Sequence, residues 1–129
     1  MLYYIHVEKK ITQEQIIEAF FQLLKVKKNE ILFFDGFFPD RTEVYHKFLV
    51  QLTERPAGFL ISLELYTEFF TSEEGFYNFL EKISQYLSSR IFIDETDKTG
   101  ALFMPNQEPR EASFDIGVEN DEDYLYIIE

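Results

Sequence analysis

Between residues 44 and 66 the chain reads VYHKFLVQLTERPAGFLISLELY, and two runs within it alternate with a period of two. Phe48, Val50 and Leu52 alternate with Leu49, Gln51 and Thr53; Phe59, Ile61, Leu63 and Leu65 alternate with Leu60, Ser62 and Glu64. This is the pattern of two strands with one apolar face each. A two-residue loop at Pro56-Ala57, or a four-residue loop from Arg55 to Gly58, opposes Leu52 with Ile61, Val50 with Leu63 and Phe48 with Leu65, and keeps both apolar sets on one side. A three-residue loop would put them on opposite sides and is rejected. Pro56 and Gly58 suit the second and fourth positions of a type I turn.

Around this hairpin the pattern predicts further elements. Leu2, Tyr4 and His6 alternate with Tyr3, Ile5 and Val7 in a strand with apolar residues on both faces, which places it centrally in a sheet. Thr12 and Gln15 form a capping box ahead of Ile16, Ile17, Phe20, Leu23 and Leu24 at helical spacing, so a helix runs from about Gln13 to Val26 and stops at Lys27-Lys28-Asn29. Ile31 to Phe34 is a short buried strand, and Phe37-Phe38-Pro39-Asp40 is a loop whose phenylalanines fold back on the core. Thr71 and Glu74 repeat the capping signature, with Phe76, Phe79, Leu80, Ile83 and Leu87 as the apolar stripe of a helix over about Glu73 to Ser88, and Arg90 favouring its C-terminal end. Ile91 to Ile93 and Ala101 to Met104 form a second hairpin, Phe114, Ile116 and Val118 mark a further strand, and Tyr124 to Ile128 is the last, after an acidic turn from Glu119 to Asp123. The order β-α-β-β-β-α-β-β-β-β predicts an α+β two-layer domain over residues 1–129, with two helices packed on one face of a largely antiparallel sheet. Gln51, Thr53, Ser62 and Glu64 make the other face of the central hairpin polar, and so solvated or in contact with a polar partner.

Composition narrows the function classes. With 129 residues, 46% hydrophobic and 18% aromatic, the chain can bury one core. The lack of cysteine excludes thiol nucleophiles, disulfides and Cys-based zinc sites and favours a cytoplasmic setting. The opening MLYYIHVEKK has no basic leader or cleavage site, and no apolar run reaches the roughly 18 residues of a membrane span. Charge is lopsided: residues 1–50 carry seven basic and seven acidic side chains, so the whole net charge of −12 lies in residues 51–129. Such a field repels nucleic acid and anionic membranes and attracts basic proteins.

Catalytic and ligand signals are sparse. Asp97-Lys98-Thr99-Gly100 resembles the phosphorylation motif of P-type ion pumps, and IFIDET at 91–96 resembles the strand and Asp of haloacid-dehalogenase-like phosphatases. The first family continues with Thr where this chain has Ala101; the second expects an Asp where it has Thr96 and far more chain than the 35 residues after Asp94. The segment reads as a polar turn. His6 and His46 are far apart and lack a carboxylate or nucleophile at fixed spacing, which makes them structural, and the acidic run 119–123 lacks EF-hand spacing. No catalytic, cofactor or metal residue is assigned.

Size, acidity, the run FYNFLEKISQYLSSRIFIDE at 76–95 and the tail DEDYLYIIE at 121–129 resemble the immunity proteins of bacterial polymorphic toxin and contact-dependent inhibition systems. That resemblance implies a cytoplasmic, non-enzymatic antidote binding a basic toxin domain. The carboxylates of Asp94, Glu95, Asp97, Glu119, Asp121, Glu122 and Asp123 are the expected contact, with Tyr124 or Tyr126 as anchor. The alternatives are a module that self-associates through Phe37, Phe38 and an open strand edge, and a small ligand-binding domain with a concave pocket.

Overall fold

A computed structural model describes residues 1–37 and 46–129 of the chain. The elements are β1 (Leu2–Val7), α1 (Gln13–Leu24), a 3-10 turn (Lys28–Glu30), β2 (Ile31–Phe33), β3 (Phe48–Glu54), β4 (Ile61–Tyr66), α2 (Glu73–Leu87), β5 (Ile91–Asp94), β6 (Thr99–Phe103), β7 (Arg110–Glu119) and β8 (Glu122–Ile128). This is the expected α+β order. The strands form one sheet, β2-β3-β4-β1-β5-β6-β7-β8, antiparallel throughout except for the β2–β3 pair. Val44 and Phe38 lie outside the described residues, and Phe37, expected on the core, is 95% exposed.

Both helices cover one face of the sheet. Ile16, Ala19 and Phe20 of α1 and Phe76, Phe79, Leu80, Ile83 and Leu87 of α2 bury against Ile5, Val7, Phe48, Val50, Leu63, Leu65, Ile91 and Phe103. Phe20 joins the layers, with its ring centre 4.8 Å from that of Phe48 and 5.5 Å from that of Phe79. Thr12 and Gln15 cap α1 reciprocally, as the sequence pattern required. The helix ends at Lys25, which adopts a left-handed conformation, so Val26 leaves the helix and turns into the core. The α2 cap is Ser72 rather than Thr71: its Oγ accepts from the Gly75 amide at 3.0 Å. Either hydroxyl satisfies the residue preference, and only backbone geometry separates them.

The central hairpin has the predicted faces and a different register. Val50 opposes Leu65 and Leu52 opposes Leu63, two residues away from the expected pairing, so every paired side chain keeps its face. The loop is longer than a tight turn, closed by the Arg55 amide donating to the Leu60 carbonyl at 2.8 Å. Phe59 is the cause. It leaves the β4 alternation and packs on the opposite face of the sheet, with Phe92, Leu102, Ala112 and Leu125.

That second core forms because the sheet rolls back on itself. β7 and β8 curl over the helix-free face until β8 reaches the loop before β4, where the Phe59 amide donates to the Leu125 carbonyl at 2.9 Å. Gly58, at φ +61°, makes the approach possible, since a Cβ there would collide with the Leu125 carbonyl. Arg90 closes the same seam. Its guanidinium pairs with Glu8 and, at 2.5 Å, with Glu129, and lies 5.6 Å from the centre of the Phe59 ring. The arginine expected at a helix dipole is thus a clamp between chain segments.

Gly58→Ala should lower unfolding free energy by about 1–3 kcal/mol, combining left-handed strain with the collision. Urea denaturation checks this; a loss below about 0.5 kcal/mol, the range of an ordinary surface change, would show that the seam does not need a glycine there.

Candidate functional site

The nine expected contact residues do not form one patch. Asp94 ends β5 and points to the helix-free face, where its Oδ1 lies 3.6 Å from His6 Nε2. Glu95 follows on the other side and accepts the hydroxyl of Tyr77. Burial and then this carboxylate push the Tyr77 phenol well above its usual value. Asp97 is exposed in the β5–β6 turn. Glu119, Asp121, Glu122 and Asp123 crowd the tip of the β7–β8 hairpin, where Asn120 and Asp121 both have positive φ, as a two-residue type I′ turn demands.

The two acidic groups share neighbouring strands but do not merge. The Phe114 amide donates to the Lys98 carbonyl at the base of the β5–β6 turn, and Glu119 lies five residues further along β7, about 17 Å at the rise of an extended strand. Tyr124 and Tyr126 stand on the outer face of the hairpin with ring centres 6.0 Å apart. Tyr124 lies across Gly117, whose missing side chain leaves room for the ring.

A concave site that sequence reasoning missed lies behind this hairpin. Register explains it: on the helix-free face Thr53, Ser62, His6 and Phe92 form one row across β3, β4, β1 and β5, and Gln51, Glu64 and Tyr4 form the next. The rolled hairpin hangs over these polar rows and presents Phe114, Ile116 and Leu125 to them, enclosing a groove of about 310 Å³. The available signal was the polar set Gln51, Thr53, Ser62 and Glu64 on an otherwise apolar hairpin. What the sequence could not show is that His6, 56 residues from Ser62, is its cross-strand neighbour.

The groove floor holds a directed chain of polar groups. Arg55 Nε donates to Ser62 Oγ at 3.0 Å, and Ser62 Oγ lies 3.4 Å from His6 Nδ1. Burial holds the His6 imidazole below its usual pKa, outweighing the upward pull of Asp94, and Arg55 adds to the lowering. In the neutral ring with hydrogen on Nε2, Ser62 donates to Nδ1 while Nε2–H faces Asp94. The histidine expected to lack such neighbours therefore has both a hydroxyl and a carboxylate.

The order hydroxyl, imidazole, carboxylate is that of a hydrolytic triad. A nucleophile must also be reachable by its substrate, and Ser62 is only 7% exposed; its hydroxyl ties the imidazole to the Arg55 guanidinium. His46 keeps a buried Nδ1 without a hydrogen-bond partner among the described residues. Among those residues no group of three His, Asp or Glu side chains could hold a metal ion, and no helix is long and apolar enough to cross a membrane.

The fold and these surfaces define a rolled α+β sheet domain with an acidic hairpin and an amphipathic groove. The chain matches no known protein family, no curated protein and no solved structure.

His6 gives a pH prediction with a definite sign. Its pKa is lowered on folding, so its contribution to stability is complete above the unfolded value of about 6.5. That contribution is lost as pH falls through the folded value, because the unfolded chain takes up the proton first. Chemical denaturation of wild type and His6→Gln from pH 7.5 to 5 should show a steeper loss in wild type. Parallel pH profiles would mean that His6 titrates alike in both states.

Proposed function

We propose that this protein is a non-enzymatic protein-binding domain that engages a basic protein through its β7–β8 hairpin, and that it acts as a cytoplasmic immunity protein against a basic toxin domain. The observation that carries the reading is the composition and exposure of that hairpin. Residues 110–129 hold seven carboxylates and one guanidinium, half of the net charge of the chain. Glu119, Asp121, Glu122 and Asp123 make no ion pair among the described residues. Beside them Val118 is 68% exposed, and Ile116, two residues back along β7 on the same face, is 49% exposed.

Charge alone would serve solubility. Exposed β-branched residues beside unneutralised carboxylates serve contact, since binding surfaces combine apolar anchors with a charged rim that steers encounter. The same field disfavours nucleic acid and anionic membranes as partners. Glu95 is engaged by Tyr77 and Asp94 faces the groove beside His6, so on the outer surface the tip carboxylates, Asp97 and Tyr126 carry most of the contact.

The test is a pull-down from lysate of the native host, washed at increasing salt. Beside wild type stands the triple variant Glu119→Lys, Glu122→Lys, Asp123→Lys, which spares the left-handed Asp121. A basic protein should be retained by wild type, weakened by salt and lost from the variant, with the two melting temperatures close together. Retention by the variant, or a partner that is itself acidic, would refute the proposal.

A further inference from the structure

The groove behind the hairpin has two chemically different sides. Phe114, Ile116 and Leu125 give an apolar wall, while the floor offers the carboxylates of Glu64 and Asp94 beside the Tyr4 phenol. Burial and the adjacent Glu64 carboxylate raise the phenol's pKa. The one cationic side chain in the lining, Arg55, is tied down by its Nε bond to Ser62. Two carboxylates against one guanidinium leave the floor net negative, within a chain of net charge −12.

This pairing selects an occupant. An anion would meet both carboxylates, and a purely apolar group would desolvate them without compensation. A side chain with an aliphatic stem and a cationic head satisfies both sides at once, as lysine and arginine do when the stem lies on apolar surface and the head reaches a polar one. The volume, about 310 Å³, sits at the lower end of the roughly 300–1,000 Å³ of ligand sites. It suits one side chain rather than a docked helix.

We propose that this groove receives a single lysine or arginine side chain of the basic partner, its stem against Phe114, Ile116 and Leu125 and its charged head between Glu64 and Asp94. The identity of the donor rests on the reading of the hairpin as a binder of a basic protein. The site itself can be tested without that partner.

The experiment is an amide NMR titration at pH 7.5 with the blocked tripeptides acetyl-Gly-Arg-Gly-amide and acetyl-Gly-Lys-Gly-amide, and with acetyl-Gly-Norleucine-Gly-amide and acetate as controls. A cationic peptide should give saturable shifts at Tyr4, Ser62, Glu64 and Ile116, and the controls should not. Glu64→Gln should weaken binding about tenfold, the scale of one lost charge contact. The triple hairpin-tip variant should change it less than about threefold, which separates this site from the surface read in the pull-down. Asp94→Asn is a second groove variant, its spectrum showing whether the fold survives loss of the His6 partner. Saturable binding of acetate at the groove, equal shifts from the norleucine peptide, or no saturable shift from either cationic peptide would overturn the proposal, whatever the pull-down finds.

Discussion

The return of β8 onto the loop at Gly58 and Phe59 decides the form of the helix-free half of the molecule. A two-stranded ribbon is marginal by itself in water, and β7 and β8 extend beyond the β5–β6 turn. Three contacts hold the ribbon down: the Phe59 amide on the Leu125 carbonyl, the cluster of Phe59, Phe92, Leu102, Ala112 and Leu125, and the Arg90 link from Glu8 to Glu129. Their cooperation is geometric. Gly58 permits the backbone approach, the approach places the Phe59 ring in the second core, and that ring supports the Arg90 guanidinium.

The roll also sets what is left open. It packs onto Phe92 and Leu102, which would otherwise be bare apolar surface, and stands off from Tyr4, His6, Ser62 and Glu64, which become the floor of the groove. Leu125 belongs to both regions, packing in the second core and lining the groove. Beyond Leu125 the two strands run on without a layer beneath them, so Val118 is exposed although it has the same orientation as buried Ala112. A single alternating strand is thus core at one end and exposed at the other.

The sequence carried the element order, both helices, the two-layer class and the inward faces of the central hairpin, because these follow from periodicity and periodicity is local. It did not carry register. Phe59 fits the β4 alternation as well as Ile61 does, and only the second core shows why Phe59 leaves the strand and the loop lengthens. Arg90 follows a helix and invites a dipole explanation, yet its partners are 82 residues before it and 39 after it. The groove was illegible for the same reason, since His6, Ser62 and Asp94 belong to three strands that only the sheet order brings together. The acidic turn at 119–123 was legible as composition, while its distance from the β5–β6 turn depended on how far β7 outruns β6.

The distribution of ion pairs bears on whether the acidity is incidental. At the seam, Glu8 and Glu129 share Arg90, and elsewhere Glu30 takes Lys47 and Glu54 takes Lys10. Each of these carboxylates has a cation beside it. At the tip Glu119, Glu122 and Asp123 stand together with none, and their mutual repulsion acts against the turn that holds them. A chain selected for solubility alone would gain stability by spreading that charge, with no loss of solvation. Concentrating it on a ribbon that also exposes Val118 and Ile116 costs the free protein stability that a cationic surface would restore, and this asymmetry supports the proposal that the hairpin is an interface.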